Sequence, residues 1–290
     1  MDVTVSDSAL HEVCPGCGDA DLRPRWTIGP YRIVRCAGCE LVFVRNRIDS
    51  RRLDEFYNQA SGGDPSYDPD NLVCLNYYYG RLRDAIREWQ PRAGRILDVG
   101  GSGGFFLDVM EGWERHGTEI VRHDAARAAA RYGANIFCGP FEAYPERSGT
   151  FDVITMQDVF DHIPDPTACL ARCRRLLREG GLLVIKVHDV SCLYAKVSGR
   201  HFYAVIPPSH LFYYSRRSLA TMLDRGGFTF LRHAYIPHLL TLRTVFFRLS
   251  KAEPSSPFFR IARRLGHSRL GQVKIRKNLH DIITVFAAKR

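Results

Sequence analysis

Little in this chain of 290 residues would place it in a membrane or direct it out of the cell. No run of about 18 or more apolar residues occurs, so the sequence predicts no transmembrane helix. A basic start followed by an apolar stretch is absent from roughly the first 20 residues, which argues against a secretory signal. We therefore expect a cytoplasmic protein of ordinary globular composition.

Acidic residues are scarce toward the C-terminal end. Arg216–Arg290 contains 16 lysines and arginines against three acidic residues, whereas the rest of the chain is slightly acidic. This imbalance predicts an anionic partner, for which a phosphorylated substrate, a membrane surface, a nucleic acid or another protein would each serve. The arginines alternate with large apolar residues, which fits an amphipathic helix at a membrane surface or at a dimer contact as well as it fits RNA. We expect a phosphorylated substrate or a membrane surface as the anionic partner, with a nucleic acid less favoured.

The cysteines do not follow the pattern of a disulfide framework. Of nine cysteines, four form two C-x-x-C pairs with 18 residues between them, namely Cys14 with Cys17 and Cys36 with Cys39. Four thiolates satisfy tetrahedral Zn²⁺ and leave no open position, so the spacing predicts a structural zinc ribbon over residues 1–48. An iron site and a redox dithiol are the alternatives.

Strand and helix patterns alternate along the remainder of the chain, which predicts an α/β fold with a doubly wound, mostly parallel sheet. The predicted strands are Ile96–Val99, Glu119–Val121, one near Ile136, Val153–Met156, Leu182–Val187, Phe228–Tyr235 and Ile282–Ala287. The predicted helices are Phe105–Glu114, Ala125–Tyr132, Thr167–Arg178 and Ser218–Arg225. We expect residues 49–90 to form a linker and a leading helix. Residues 91–290 are expected to form the large domain, with a basic insert of two amphipathic helices at about 238–278.

The most informative stretch is RILDVGGSGGFF at Arg95–Phe106, where a strand leads into small residues and then a helix pattern. The residues that let a ligand approach the main chain are Gly100, Gly101 and Gly104. Asp98 closes the strand, and Glu119 follows at the separation at which an acid meets ribose hydroxyls in a βαβ nucleotide site. The loop does not fit G-x-G-x-x-G, so an adenosine-bearing cofactor other than a nicotinamide is expected.

The stretch ILDVGGSGGFFLDVM resembles motif I of the class I S-adenosylmethionine-dependent methyltransferases, with Ser102 in place of the second glycine. Two later stretches extend the resemblance over roughly residues 75–240: FCGPF at Phe137–Phe141 and FDVITMQDVFDHIPDP at Phe151–Pro166. The resemblance implies a Rossmann-like methyltransferase fold with S-adenosylmethionine as the cofactor. The loop would then hold the methionine part of the cofactor and Glu119 its ribose.

The resemblance also implies further contacts with the cofactor. Phe141 lies where the family contacts adenine and offers a stacking face. Gln157 and Asp158 follow the next strand, at the edge of the sheet where open α/β proteins bind ligands. For Asp158, a capping or solvated carboxylate is the alternative.

Three histidines are candidates for taking a proton from the methyl acceptor, because methyl transfer is an in-line displacement that needs alignment and, for a hydroxyl, a base. His162 lies beside Asp161 in the third motif, and His188 follows the strand LLVIKV. His210, the foremost candidate, lies in PPSHLFYYSRRSL, which resembles a segment of a methyltransferase subgroup whose members often carry the same N-terminal ribbon. A structural hydrogen-bonding role is the alternative for each histidine.

The sequence thus predicts methyl transfer to a small-molecule acceptor, with oxygen of a natural product or saccharide intermediate favoured over carbon or nitrogen. Methylation of RNA is a second hypothesis, suggested by the ribbon and the basic segment. Against it, the chain reads QDVF after Met156, where methylation of a base amine would call for Asn/Asp-Pro-Pro-Tyr/Phe. A third hypothesis is a non-enzymatic adaptor that binds the cofactor without turnover.

Overall fold

The computed structural model describes residues 9–60, 69–145, 148–249, 255–266 and 268–290. The chain divides into two compact units. The first comprises Met1–Ser61, Arg87–Tyr235 and Leu279–Arg290, and the second comprises Gly62–Ile86 and Ile236–Asn278. Most of the residues before Arg95 thus belong to the first unit, whereas the predicted leading helix and the predicted basic insert lie mainly in the second.

The strands and helices are numbered in chain order over the described residues. The strands are β1 (Leu22–Ile28), β2 (Tyr31–Cys36), β3 (Val42–Val44), β4 (Arg95–Val99), β5 (Glu114–Glu119), β6 (Ile136–Cys138), β7 (Phe151–Gln157), β8 (Leu177–His188), β9 (Phe212–Tyr213), β10 (Phe228–Ala234), β11 (His238–Thr241), β12 (Lys274–Lys277) and β13 (Ile282–Lys289). The helices are α1 (Ser50–Ala60), α2 (Pro69–Arg87), α3 (Phe105–Asp108), α4 (Arg122–Tyr132), α5 (Pro166–Leu176), α6 (Leu193–Ser198), α7 (Arg216–Arg225), α8 (Leu242–Leu249) and α9 (Pro257–Leu265).

Seven strands of the described residues form one mixed sheet in the order β6-β5-β4-β7-β8-β13-β10. The five strands from β6 to β8 are parallel, whereas β13 pairs antiparallel with β8, and β10 antiparallel with β13. The chain leaves β4 for β5 and β6 on one side and later continues to β7 and β8 on the other. The predicted doubly wound sheet is therefore confirmed. Its switch point, where such sheets bind ligands, lies at the carboxyl ends of β4 and β7.

The sheet and its helices form where local sequence favours them. In β8 every residue from Leu182 to Val187 is buried, as expected of a central strand covered on both faces. Helix α5 begins where the Asp165 side chain accepts the N–H of Ala168 at 2.9 Å. Helix α7 begins with a capping box that pairs Ser215 with Ser218. These caps fix where both helices start and hence which side chains face the sheet.

A second sheet joins the N-terminal strands to a later part of the chain. It has the order β1-β2-β3-β9 and is antiparallel throughout. The Phe212 ring of β9 stacks on Phe43 of β3 with centroids 6.1 Å apart, and both rings are buried. The N-terminal strands therefore share a core with the segment that follows β8.

The second unit contains α2, α8, α9 and the antiparallel pair of β11 with β12. Tyr78 of α2 is fully buried and stacks on His238 with ring centroids 4.5 Å apart. Phe246 of α8 faces Phe258 of α9 with centroids 6.4 Å apart. Both helices lie where amphipathic helices were predicted, but β11 and β12 were not predicted because four residues are too few to establish a period.

Two predicted elements have different bounds in the structure. The helix predicted at Phe105–Glu114 ends at Asp108, because the backbone then forms tight turns and reverses at Gly112, whose φ is +83°. The strand predicted at Glu119–Val121 is instead β5, which ends at Glu119. Its sequence ERHGTE is polar, yet its last four residues are buried between β4 and β6. Position in the sheet, not apolar periodicity, makes this segment a strand.

Membrane-spanning helices were predicted to be absent. Among the described helices, none combines the length and apolar composition needed to cross a lipid bilayer. Even α2, at 19 residues, carries charged side chains along its length.

Removal of the Phe212 ring tests how strongly the N-terminal strands and the segment that contains β9 stabilise one another. We expect Phe212→Ala to lower the free energy of unfolding by about 3–5 kcal/mol, because it removes a buried ring at their junction. Urea unfolding followed by tryptophan fluorescence measures this. Val197→Ala, at a position that is 80% exposed, is the control and should change the same quantity by less than about 0.5 kcal/mol. Equal, small effects of the two substitutions would contradict the shared core.

Candidate functional site

The loop after β4 brings the main chain to the edge of the sheet. Gly100 has a φ of +67°, and a Cβ there would lie 2.5 Å from Cγ2 of Val159, so only glycine fits. Gly104 has a φ of +81°, and a Cβ there would lie 2.8 Å from an aromatic ring of α4. The N–H groups of Gly100 and Gly101 both donate to the carbonyl of Thr118, which holds the loop against β5.

Ser102 is the only residue of the stretch GGSGG that is not glycine. Its φ is +47°, in the left-handed region, which costs a residue with a side chain about 1–2 kcal/mol. In this conformation its N–H donates to Oε2 of Glu119 at 2.8 Å. The strained turn is therefore coupled to the acid that the sequence analysis singled out.

Glu119, the last residue of β5, uses both carboxylate oxygens to organise main chain. Oε2 accepts the N–H of Ser102 and Oε1 accepts the N–H of Val121, each at 2.8 Å. Burial raises the pKa of Glu119, although these hydrogen bonds oppose the rise. A carboxylate has about four acceptor positions, so Glu119 can hold the loop and still accept hydrogen bonds from the hydroxyls of a ligand.

Asp98 supports the loop from below. It is 2% exposed, and its Oδ1 accepts the hydroxyl of Thr155 at 2.6 Å. Burial raises the pKa of Asp98 to about 7, against the lowering effect of that hydrogen bond. Gly101 packs closely on it, since a Cβ there would lie 3.0 Å from Oδ2.

A cavity of about 650 Å³, including its mouth, opens at this edge of the sheet. Its walls include Tyr57, Gly100, Ile120, Phe141, Val159 and His162. The Phe141 ring is buried, with the guanidinium of Arg172 lying 5.6 Å from its centroid. The loop after β4, the end of β5 and one candidate histidine therefore face the same space.

Gln157 and Asp158 lie where β7 ends. Gln157 pairs in register with Lys186 of β8, and Asp158 has a φ of +56°. Oδ2 of Asp158 accepts a hydrogen bond from Nζ of Lys186 at 2.6 Å. Desolvation alone would raise the pKa of Asp158, but the Lys186 ammonium outweighs it and holds that pKa below its ordinary value. The loop after β7, like that after β4, thus contains a strained residue beside a charged group.

The structure brings the three candidate histidines together around Asp161. Nε2 of His162 lies 3.6 Å from Oδ1 of Asp161, whereas Nδ1 of His188 and Nδ1 of His210 lie 3.5 Å and 3.6 Å from Oδ2. The ring centroid of His210 is 4.5 Å from that of His162 and 5.1 Å from that of His188. The cluster combines the loop after β7, the end of β8 and the segment before β9.

The charges in this cluster differ because burial acts differently on acids and bases. Burial opposes the charge of Asp161, but the adjacent His162 and His188 more than compensate and lower its pKa to about 2. Burial lowers the pKa of His210 to about 4, so that its imidazole is neutral at pH 7. Asp161, at the centre of the cluster, is therefore ionised at pH 7 and lies next to a neutral His210.

The tautomer of His162 follows from its hydrogen bonds. The hydroxyl of Tyr57 donates to the carbonyl of Ser209 at 2.9 Å, and its oxygen lies 2.8 Å from Nδ1 of His162. Since that hydroxyl has a single proton, Nδ1 must be the donor to Tyr57. The lone pair of neutral His162 is then on Nε2, the atom nearer Asp161.

Sequence reasoning found the three histidines but missed two residues that organise them. Asp161 was considered only as the neighbour of His162, although it contacts all three rings. Tyr57 lay in a stretch read as a linker, yet it belongs to α1 and lines the cavity. The acid next to a histidine was a signal for Asp161, but nothing in the linear pattern pointed to Tyr57.

The four cysteines of the two C-x-x-C pairs also converge. Their sulfur atoms all lie within 4.8 Å of one another, with Sγ of Cys14 and Cys39 3.5 Å apart and Sγ of Cys17 and Cys36 3.4 Å apart. Sulfurs around tetrahedral Zn²⁺ would be about 3.8 Å apart, so the residues fit that ion. Two arginines of α7 hold the loops around them: Arg217 donates to the carbonyl of Gly38, and Arg225 to that of Cys17. Part of the basic C-terminal segment is thus used inside the first unit.

The raised pKa of Asp98 predicts a pH-dependent stability. The folded chain keeps this proton up to about pH 7, whereas an unfolded chain loses it near pH 4, so stability falls as the pH rises through that window. Asp98→Asn removes this pH-dependent contribution. As the pH rises from 5 to 7, the free energy of unfolding of the variant should therefore increase by about 2 kcal/mol relative to that of the unsubstituted chain. Urea unfolding at both values measures it. The control Asp84→Asn, on α2, should show no such gain, and an equal result for both substitutions would contradict the assignment.

Comparison with curated proteins relates part of the chain to O-methyltransferases. It is 30% identical over 126 residues to the ubiquinone biosynthesis O-methyltransferase of Xanthomonas axonopodis pv. citri (strain 306), covering 40% of this chain and 48% of that protein. It is 37% identical over 118 residues to the enzyme of the same name from Parvibaculum lavamentivorans (strain DS-1), covering 37% and 45%. The chain thus spans about half the length of these relatives.

Comparison with solved structures supports the fold. The YcgJ protein of Bacillus subtilis superposes with a TM-score of 0.51 at 19% identity, covering 74% of this chain and 99% of that one. The 1,6-didemethyltoxoflavin-N1-methyltransferase of Burkholderia thailandensis, solved with S-adenosylhomocysteine, superposes with a TM-score of 0.50 at 16% identity, covering 92% and 99%. At these identities the likeness concerns the fold.

The sequence pattern of the family described as "Methyltransferase domain" matches residues 74–233. The matched range includes the glycine loop, Glu119 and all three histidines, and it covers more than half of the chain. The structural neighbours have the same kind of sheet. The resemblance seen in the motifs is therefore confirmed at the level of the family: this chain belongs to the methyltransferase-domain family.

Proposed function

We propose that this chain transfers a methyl group from S-adenosylmethionine to an oxygen atom of a small molecule. The observation that carries the proposal is the cavity at the switch point, whose wall includes both Gly100 and His162. A cofactor held by the glycine loop and a histidine able to take a proton would share this one space. The curated relatives are named O-methyltransferases, which favours oxygen as the acceptor atom.

The cofactor would lie along the edge formed by β4, β5 and β7. Asp98 and the residues Gly100, Gly101 and Gly104 would receive its methionine part. Glu119 would accept hydrogen bonds from the ribose hydroxyls, and Phe141 would contact the adenine. Gln157 and Asp158 would complete the opposite side of the cleft.

When bound, S-adenosylmethionine supplies a methyl group activated by a positively charged sulfur. The acceptor oxygen forms its bond to the methyl carbon as the carbon–sulfur bond breaks, and that electron pair stays on sulfur. The chain aligns the two reactants and takes the proton of the acceptor hydroxyl. Among the three histidines, His162 lines the cavity, so its Nε2 is the proposed proton acceptor, with Asp161 3.6 Å away to stabilise the imidazolium. His188 and His210 lie against the other carboxylate oxygen of Asp161.

The four cysteines are proposed to hold a structural Zn²⁺. Four thiolates leave no coordination position open, so the ion would stabilise the N-terminal strands and take no part in methyl transfer. The contacts of Arg217 and Arg225 with this region would connect its stability to that of α7.

Binding of S-adenosylhomocysteine tests the cofactor site without knowledge of the acceptor. By calorimetry we expect micromolar affinity, and we expect Glu119→Gln to weaken it at least about tenfold, because two good acceptor oxygens become one. The control Glu111→Gln, outside the cavity, should leave the affinity within about twofold. No binding by the unsubstituted chain would overturn the proposed cofactor site, whereas binding without methyl transfer to any acceptor would favour the non-enzymatic adaptor.

The acceptor is then sought with S-adenosylmethionine labelled in its methyl group. Phenolic and saccharide hydroxyls are the first compounds to assay, with amines, activated carbon acids and RNA as the comparison set. Incorporation confined to the comparison set would overturn oxygen transfer while leaving the cofactor site in place.

The metal content tests the role of the cysteines. We expect one equivalent of zinc bound through them, and we expect Cys36→Ser to lower the melting temperature by roughly 10 °C, because a tetrahedral site loses one of its ligands. Affinity for S-adenosylhomocysteine should stay within about twofold of the unsubstituted value. Cys138→Ser, at an exposed cysteine outside the cluster, is the control. Unchanged melting in Cys36→Ser would contradict a structural metal.

A further inference from the structure

The groups around Asp161 have the arrangement of metal ligands. The ligand atoms that Asp161, His188 and His210 can offer all lie within 4.8 Å of one another. Oδ2 of Asp161 is 3.5 Å from Nδ1 of His188 and 3.6 Å from Nδ1 of His210. Ligand atoms bonded at about 2.0–2.2 Å to one ion lie roughly 3.0–3.6 Å apart, so small side-chain movements would complete a site. We propose that Asp161, His188 and His210 bind one divalent transition-metal ion, at a site distinct from the four cysteines.

Unsatisfied atoms within the cluster support this proposal independently of its geometry. Oδ1 of Asp161 and Nδ1 of His210 are buried, and neither has a hydrogen-bond partner among the described residues. Asp161 is 1% exposed and His210 is 7% exposed. Leaving such groups unpaired is unfavourable, and most buried polar atoms in proteins are paired. A cation bound through Oδ2 of Asp161 would give Nδ1 of His210 its missing partner and would place positive charge next to the buried carboxylate.

The charge of the carboxylate also favours a cation at this place. A buried carboxylate is stabilised when positive charge lies next to it. A divalent ion bound by neutral imidazoles supplies the positive charge at a single point, and imidazole binds metals in its neutral form.

The chemistry of the ligands selects the class of ion. Two imidazole nitrogens and one carboxylate oxygen suit Zn²⁺, Fe²⁺, Co²⁺ or Mn²⁺, whereas Mg²⁺ and Ca²⁺ prefer oxygen ligands. Three protein ligands leave at least one coordination position open. The ring of His162, which lines the cavity, lies 4.5 Å from that of His210.

The open position could therefore take an oxygen of the acceptor, which would make the metal a determinant of acceptor choice. This last step rests on the proposed methyl transfer, whereas metal binding does not. The hydroxyl proton would leave to Nε2 of His162, which is not among the three metal ligands, and the bonds made and broken would be those given above.

Titration with Co²⁺ tests the site in the full-length protein. After removal of loosely held metal with EDTA, we expect calorimetry to show one Co²⁺ bound at micromolar or tighter affinity. His188→Gln and His210→Gln should each weaken this at least 100-fold, and Asp161→Asn should weaken it at least tenfold. The control His123→Gln, on α4, should stay within twofold. Cobalt bound by thiolates has strong charge-transfer absorption, which this site should lack, so the spectrum separates it from the cysteines.

Two results would overturn the proposal. One is absence of Co²⁺ binding outside the thiolate site in the unsubstituted protein, and the other is unchanged Co²⁺ affinity in both histidine variants. If the variants do not fold, the total transition-metal content of the unsubstituted protein decides: two equivalents support the proposal and one overturns it. S-adenosylhomocysteine binding without Co²⁺ binding would refute the metal site alone, whereas Co²⁺ binding without S-adenosylhomocysteine binding would refute the proposed function alone.

Discussion

Asp161 is the residue on which much of the first unit depends. Its carbonyl accepts the N–H groups of Leu211 and Phe212, which fixes the segment that contributes β9 to the N-terminal sheet. Its side chain lies among His162, His188 and His210. One buried residue thus joins the loop after β7, the end of β8 and the N-terminal strands. Its side chain acts at the candidate site, whereas its main-chain carbonyl positions the segment that joins the N-terminal sheet.

Three buried carboxylates lie at or near the same edge of the large sheet, and the protein stabilises each differently. Asp98 accepts a hydroxyl hydrogen bond and has a pKa raised to about 7 by burial. Glu119 accepts two backbone N–H groups, which oppose the effect of its burial. Asp161 stays ionised among imidazoles, with a pKa of about 2. The three carboxyl groups therefore differ in how readily they ionise, so they do not act as three equivalent charges repelling one another.

Two of the four non-glycine residues with positive φ in the described part of the chain lie in the loops at the switch point of the large sheet. Ser102 and Asp158, in the loops after β4 and β7, both have positive φ without being glycine. Their partners Glu119 and Lys186 hold them there through hydrogen bonds of 2.8 Å and 2.6 Å. Strain of this kind persists where the surroundings fix the backbone, and here it shapes the two sides of the cleft in which the family would bind its cofactor.

The amino-acid sequence by itself determined the features that depend on short spacings. The glycine loop could be predicted because close approach to the main chain requires several small residues in a row. The cysteine site could be predicted because each C-x-x-C turn presents two thiolates to one ion. The alternation of strands and helices predicted the doubly wound sheet, since burial on both faces leaves a local apolar pattern. Only the tertiary structure decided that β5 is a strand despite its polar sequence, that Phe212 pairs with the N-terminal sheet and that three distant histidines surround Asp161. Such contacts join residues far apart in the chain, as between Phe43 and Phe212, which are 169 positions apart, and periodicity carries no information about which distant segments will meet.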